Sequence, residues 1–284
     1  MTVLRRRLVA ALASTALAAG TVVSAAGVTS AAPTTVPTAV AAPGDVSPPG
    51  ANDFDCRTDR QHPQPVVLVN GTFETMEKNW ATLSPYLADR GYCVFAFNYG
   101  NRATGPIGRS ARELRRFVDV VRDATGDRRV DLVGHSQGGM MPRYYLKFLG
   151  GGPKVDDLVG IAPSNHGTEM AMEGDGTSPC PACEQQAAGS EFLTRLNRGG
   201  DTVRGPDYTV ISTQYDEVVT PWQSQFLDGP RRRVTNTLLQ DVCPADVIEH
   251  DQAPNDPVAQ RIVREALRAD GPARERFEPS CLVP

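Results

Sequence analysis

The run Gly134-His135-Ser136-Gln137-Gly138-Gly139 places a serine between glycines two positions to either side. It follows directly on the apolar Val130-Asp-Leu-Val133 and directly precedes Met140–Leu149, whose pattern reads as a helix. A tight turn from strand to helix strains the central residue, and neighbouring backbones pack against it only where the flanking positions lack a Cβ. The serine hydroxyl then stands clear of the strand at a helix N-terminus, where free N–H groups and the helix dipole favour a developing oxyanion. G-x-S-x-G alone is common; a strand before it and a helix after it make the signal specific. The chemistry such a residue can do is nucleophilic attack on an acyl carbon.

Ser136 needs a base, and the chain has four histidines: His62, His135, His166 and His250. His135 immediately precedes the serine, so its side chain points away from the hydroxyl, and His62 precedes the first buried strand; both are expected to be structural. The order serine, acid, histidine along the chain puts the base after the last strand, which selects His250 and keeps His166, in Ser164-Asn165-His166-Gly167, as the alternative. The acid that holds the imidazole tautomer belongs on the loop after the preceding strand. Asp216 lies there, in Thr213–Pro221, with Glu217 as runner-up; Asp246, Glu249 and Asp251 are too close to His250 in sequence to reach its far nitrogen. An oxyanion hole would combine the N–H of Gln137 with one from Asn70-Gly71-Thr72, where Thr72 could add its hydroxyl. Asn70-Gly71-Thr72 also fits the glycosylation pattern, but a strand end facing such a site is a poor acceptor.

The elements that must position these groups alternate. Pro65–Val69 and Tyr92–Phe97 read as strands buried on both faces. Between them Trp80, Leu83 and Leu87 predict a helix over Asn79–Arg90, stopped by Gly91. Ser110–Thr125 gathers Leu114, Phe117, Val118 and Val121 on one face and ends at Gly126. Strands are expected at Val130–Val133, Val155–Ala162, Tyr208–Ser212 and Val234–Leu239, with helices at Met140–Leu149 and Pro257–Leu267. Strand and helix in alternation predict an α/β fold, a mostly parallel sheet covered by helices on both faces. The Gly150-Gly151-Gly152-Pro153 run follows a helix and so reads as a chain reversal, not a phosphate cradle.

Of the 284 residues, 1–32 read as a secretory signal: Arg5-Arg6-Arg7, an Ala/Leu/Val stretch, and small residues suited to cleavage after Ala26 or Ala31. Residues 33–53 are a Pro/Ala/Thr-rich tether, and 54–284 make one catalytic domain. The net charge of −4 becomes −7 without the three leader arginines, the wrong sign for a nucleic-acid surface. Past the leader no apolar run is long enough to span a bilayer, so no stable membrane insertion is expected. Six cysteines in an exported chain predict three disulfides. Cys180-Pro-Ala-Cys183 matches a redox or zinc C-x-x-C, but it stands alone in a Gly/Pro/Ser-rich loop, and a local bridge is the better reading.

Taken together these motifs resemble the α/β-hydrolase lipases, in particular secreted actinobacterial lipases and the fungal lipase B group. Val69-Asn-Gly-Thr72 with Asn79-Trp80 resembles the family's oxyanion loop, and Ser136-Gln137-Gly-Gly its nucleophile turn. Tyr215-Asp216-Glu-Val-Val-Thr-Pro221 resembles its acid loop, and Val242-Cys243-Pro with Val247-Ile-Glu-His250 its histidine loop. The resemblance implies Ser136, Asp216 and His250 as a triad, Thr72 and Gln137 as the oxyanion hole, and disulfides Cys56–Cys93 and Cys243–Cys281 beside Cys180–Cys183. It implies no cofactor and no metal, and a secreted monomer acting on lipid or other hydrophobic esters, at an oil–water interface among other places. A short-chain esterase, a polyester hydrolase or an acyltransferase would share the triad, and a non-catalytic binding module could keep the fold. Asn70 and His135 depart from the family pattern, so acyl-chain preference does not carry over. Residues 164–206 form a long insertion, with Met170 and Met172, that could be a lid or a surface loop. Phe73, Met140, Trp222, Phe226 and Leu227 are candidates for an acyl pocket or for the core.

Overall fold

The computed structural model describes residues 46–170 and 180–282. The expected leader, the first part of the tether, and Met172 with its neighbours lie outside the described residues.

Among the described residues six strands form one sheet: β1 Val66–Val69, β2 Val94–Ala96, β3 Val130–His135, β4 Val155–Ile161, β5 Asp207–Ser212 and β6 Val234–Leu238. They run parallel in the order β2-β1-β3-β4-β5-β6. Near-continuous apolar strands are what a sheet covered on both faces requires, and Val66–Val69 are fully buried. Alternate side chains supply two cores. Val67, Val69, Leu132, Leu158 and Val210 pack on one face, Val66, Leu68, Val133, Val159 and Ile211 on the other.

The first face is covered by two helices, Ile107–Thr125 and Gln137–Phe148, whose Leu114, Val118, Val121, Met140 and Met141 join that core. The second is covered by Leu83–Ala88 and Pro257–Ala266. The helix at Ile107 starts three residues before the sequence pattern suggests, because its first N–H donates to Gln185 Oε1 at 2.7 Å, a remote cap that periodicity cannot reveal. Gly126 ends it in the left-handed conformation, φ 80°, as its type predicts. The single helix expected over Asn79–Arg90 is two pieces, Met76–Asn79 and Leu83–Ala88. Pro85 is the reason: with no N–H and a ring that clashes with the carbonyl four residues back, it belongs in a first turn. Trp80, Leu83 and Leu87 still bury fully on one side.

Order begins earlier than the expected boundary at residue 54. Ala51 bridges to Val94, and the Asn52 carboxamide both donates to the Ala96 carbonyl and accepts from the Ala96 N–H at 2.9 Å each. The end of the segment expected to be tether thus covers the exposed edge of β2. Disulfides join Cys56 to Cys93, Cys180 to Cys183 and Cys243 to Cys281. No described helix is long and apolar enough to cross a membrane.

The strand order fixes where a site can form. From β1 the chain goes to β2 on one side, then crosses back to β3 on the other, so the loops leaving β1 and β3 diverge and open a crevice at the carboxyl edge. Val69 pairs with Gly134 in register, which sets the loop after β1 beside the serine turn, where a Cβ on Gly71 would lie 3.2 Å from that of Ser136.

Candidate active site

Ser136 adopts φ 55° and ψ −124°, a conformation that non-glycine residues enter only under constraint, and the helix Gln137–Phe148 begins on the next residue. The constraint comes from the glycines. A Cβ on Gly134 would lie 1.9 Å from the Gly138 carbonyl oxygen, and one on Gly138 would lie 2.0 Å from that of Val69. The Ser136 N–H donates to the Ile161 carbonyl at 2.9 Å, anchoring the turn to β4. The serine is recessed, 4% exposed.

Asp216 and His250 meet. His250 Nδ1 donates to Asp216 Oδ2 at 2.7 Å, with both side chains buried. Asp216 Oδ1 accepts from the N–H groups of Val218 and Val219 at 2.9 and 2.7 Å, and Oδ2 also accepts from Gln225 Nε2 at 2.8 Å. Four donors on one carboxylate fix its plane. The two loops are tied together by the Thr213 hydroxyl, which donates to the Ile248 carbonyl at 2.7 Å. The alternatives fall away from this pair. Glu217 is exposed. Asp246 accepts from the Ile248 N–H, and Glu249 from those of Asp251 and Gln252. His166 instead faces Asp201 at 3.2 Å and the Ser224 carbonyl at 3.0 Å. Its hydrogen bond to Asp201 raises its pKa.

His135 is structural, as expected, and its task is specific. A chain of bonds runs from the Gly71 N–H to Asn79 Oδ1 (2.8 Å), from Asn79 Nδ2 to His135 Nδ1 (3.1 Å), and from His135 Nε2 to the His250 carbonyl (3.0 Å). This pattern assigns the proton of His135 to Nε2. Burial, reinforced by the neighbouring His250, holds its pKa well below the usual value, so the ring stays neutral. The chain connects the loop after β1, the serine turn and the histidine loop.

The residues expected to supply the oxyanion hole are equally tied. Thr72 Oγ1 accepts from Gln137 Nε2 at 2.8 Å and from Gln186 Nε2 at 3.0 Å. With both lone pairs taken, the Thr72 hydroxyl proton is free to donate elsewhere. Gln186 is itself held by the Ser164 hydroxyl, which donates to its Oε1 at 2.8 Å, and it closes a helix, Pro181–Gln186, that starts at the Cys180–Cys183 bridge. Behind Thr72 the chain makes a left-handed turn, with φ of 57°, 53°, 56° and 59° at Gly100, Asn101, Arg102 and Ala103. Three consecutive non-glycine residues there cost roughly 1–2 kcal/mol each. The carbonyls they present accept from Phe73 N–H (2.8 Å, at Arg102) and from Gln137 Nε2 (2.7 Å, at Ala103). Asn70 is fully buried, with Nδ2 donating to the Glu74 carbonyl at 2.9 Å, which excludes a glycan there.

Among the acyl-pocket candidates, Met140 and Leu227 belong to the core, Phe73 and Phe226 pack against it, and Trp222 sits edge-on to Phe226 at 5.4 Å. Sequence reasoning missed Gln186 and Gln225 altogether and took Asn79 only as part of a motif. A buried glutamine reads as surface in a sequence, and only the carboxamide's partners reveal it. Among the described residues no group of three or more His, Cys, Asp or Glu could hold a metal ion.

Residues 63–263 match the protein family described as lipase (class 2). The chain belongs to that family. A triacylglycerol lipase of Pseudarthrobacter phenanthrenivorans is 36% identical over 115 residues, covering 38% of this chain and 35% of that protein. One of Burkholderia plantarii is 33% identical over 115 residues, covering 38% and 31%. The matched stretch thus spans about a third of these curated relatives. Among solved structures, Aspergillus fumigatus lipase B aligns with a TM-score of 0.69 over 82% of this chain and 61% of its own, at 23% identity. The mature form of the Bacillus licheniformis lipase BlEst2 aligns at 0.59, over 74% and 94%, at 13% identity. This class 2 lipase therefore carries the α/β-hydrolase fold that its sequence pattern resembles.

Proposed function

We propose that this class 2 lipase hydrolyses carboxylic esters of lipids through Ser136, His250 and Asp216. The observation that carries the reading is the 2.7 Å His250–Asp216 bond, with the His250 carbonyl bonded at 3.0 Å by the ring of His135, the residue next to a serine strained into a strand-to-helix turn. Ser136 attacks the ester carbonyl while His250 Nε2 takes its proton, and Asp216 keeps the imidazole in the tautomer that can do so. The tetrahedral oxyanion is met by the N–H groups of Thr72 and Gln137 and by the Thr72 hydroxyl, whose own oxygen is already saturated by two glutamine amides. His250 then protonates the departing alcohol, and water repeats the sequence on the acyl-enzyme. The named relatives are triacylglycerol lipases, which supports lipid esters as the substrate class. Three disulfides and the leader-like first 32 residues support an exported enzyme. The test is turnover of p-nitrophenyl esters from short to long chains by wild type and Ser136→Ala. The reading expects hydrolysis that persists at long chains and vanishes in the variant; full activity of Ser136→Ala would refute it, and activity confined to acetate and butyrate would replace lipase with short-chain esterase.

A further inference from the structure

At the opposite edge of the sheet from Ser136, where the chain enters β2, a cavity of about 470 Å³ is lined by Gln61, His62, Arg90, Tyr92, Arg264 and Arg268. Three guanidinium groups face it and no carboxylate is among its walls. Arg264 and Arg268 lie on one face of the Pro257–Ala266 helix and its C-terminal turn, and among the described residues neither side chain makes a hydrogen bond or ion pair. Arg90 is fixed in place, donating to the Tyr86 carbonyl at 2.7 Å with its guanidinium 3.8 Å above the Tyr86 ring. A second hollow beside it, about 380 Å³, shares Arg90 and Arg264 and adds Arg261. Arg261 is spent on the carbonyls of Ser280 and Leu282.

Such a cluster is unusual on a chain of net charge −4, where solvated arginines have acids available to pair with. A helix C-terminus attracts one or two cations, which explains Arg264 or Arg268 but not the convergence of Arg90 from another element. The walls are also incomplete. The Tyr92 hydroxyl and His62 Nδ1 are buried and have no hydrogen-bond partner, although the two rings pack tilted against each other at 4.1 Å. His62 Nδ1 stands 3.5 Å from Asp59, whose Oδ1 is taken by the N–H groups of Gln61 and His62. The charges of Arg268 and Arg264 reach the Tyr92 hydroxyl, pulling against the burial that pushes its pKa up to about 12. Orphaned buried polar atoms in the wall of a cavity are satisfied most simply by what enters it.

We infer that this cavity is a binding site for a phosphate group, free or carried by a soluble ester or a lipid head, held by Arg90, Arg264 and Arg268. Planar guanidinium forks suit the several oxygens and multiple charge of a phosphoryl group better than a single carboxylate does. The site is separate from the ester-cleaving machinery, so its occupancy would place or stabilise the enzyme without entering the reaction.

The experiment is titration of the full-length protein at low ionic strength with inorganic phosphate, followed by thermal shift and calorimetry, alongside Arg264→Gln/Arg268→Gln and Tyr92→Phe. Phosphate should raise the melting temperature of wild type saturably, and the double variant should bind at least about tenfold more weakly, the loss of one charge-assisted contact or more. Butyrate-ester turnover should be equal in both. Tyr92→Phe should melt no lower than wild type without phosphate, since its hydroxyl has no partner to lose, and bind phosphate more weakly. Sedimentation with phosphatidylglycerol and with phosphatidylcholine vesicles distinguishes the sources. Retention of wild type but not the double variant on phosphatidylglycerol identifies a lipid head, and equal retention of both proteins leaves free or soluble phosphate as the ligand. Equal phosphate affinity in wild type and double variant overturns the inference. Should the double variant fail to fold, Arg268→Gln, at an exposed position, makes the same comparison.

Discussion

Replacing Thr72 by valine removes one oxygen and almost no volume, and the structure says what that oxygen does. Its two lone pairs accept from Gln137 Nε2 and Gln186 Nε2 at 2.8 and 3.0 Å, leaving the proton free, in the mechanism we propose, for the oxyanion. Losing one donor of this kind costs about 2.7–4 kcal/mol of transition-state stabilisation, so kcat should fall about 10²–10³-fold. KM should barely move, because the charge that the hydroxyl meets exists only in the transition state. The folding cost is separable. Each glutamine amide keeps a second acceptor, Ala103 at 2.7 Å and Ala182 at 3.2 Å, so neither is orphaned. Two lost hydrogen bonds at about 1 kcal/mol each lower the melting temperature by roughly 4–8 °C for a domain of this size. Thr72→Ser, which restores the hydroxyl, should recover most of kcat. Steady-state kinetics on a soluble ester, with melting curves for all three proteins, measure both effects. A Thr72→Val enzyme within about threefold of wild-type kcat, or a serine variant as slow as the valine one, would refute the reasoning.

Further outcomes follow from the same geometry. Removing the Cys243–Cys281 bridge by double substitution to serine opens a span of 38 residues and should cost about 4 kcal/mol in chemical denaturation. Removing Cys180–Cys183, which closes only 3, should cost under about 2 kcal/mol yet slow turnover, because that bridge starts the helix ending at Gln186. His166 has a pKa raised above 6.5 by Asp201, so its stabilising contact is fully present below about pH 6.5 and is lost as pH rises through the folded value. Melting temperatures of wild type and His166→Asn should therefore converge as pH increases from 6 to 9; a gap that widens with pH would contradict this.

Much of the site is legible in the sequence because its residues announce themselves by type and place. Ser136 sits in a glycine turn between strand and helix, and Asp216 and His250 each follow a strand in the order the fold demands. The parallel sheet is legible for the same reason: Val66–Val69, Val130–Val133 and Tyr208–Ser212 are apolar runs too short for helices. What stays hidden depends on contacts remote in sequence. Gln186 and Gln225 look like surface residues, although one saturates Thr72 and the other reaches Asp216. The left-handed turn at Gly100–Ala103 carries two residues, Arg102 and Ala103, that disfavour it locally, and it is held by bonds remote in sequence, among them those its carbonyls accept from Phe73 and Gln137 and the one Glu113 accepts from the Gly100 N–H. The order of residues 46–53 was likewise invisible, since Pro/Gly-rich composition gives no sign that Asn52 completes a sheet edge.

The most direct test of the account is covalent. A serine-directed alkyl phosphonate should react once per molecule, and peptide mass spectrometry should place the adduct on Ser136, with labelling lost in Ser136→Ala and strongly slowed in His250→Ala. Absence of an adduct on active protein, or an adduct on another serine with Ser136 unmodified, would contradict the assignment of Ser136 as the nucleophile.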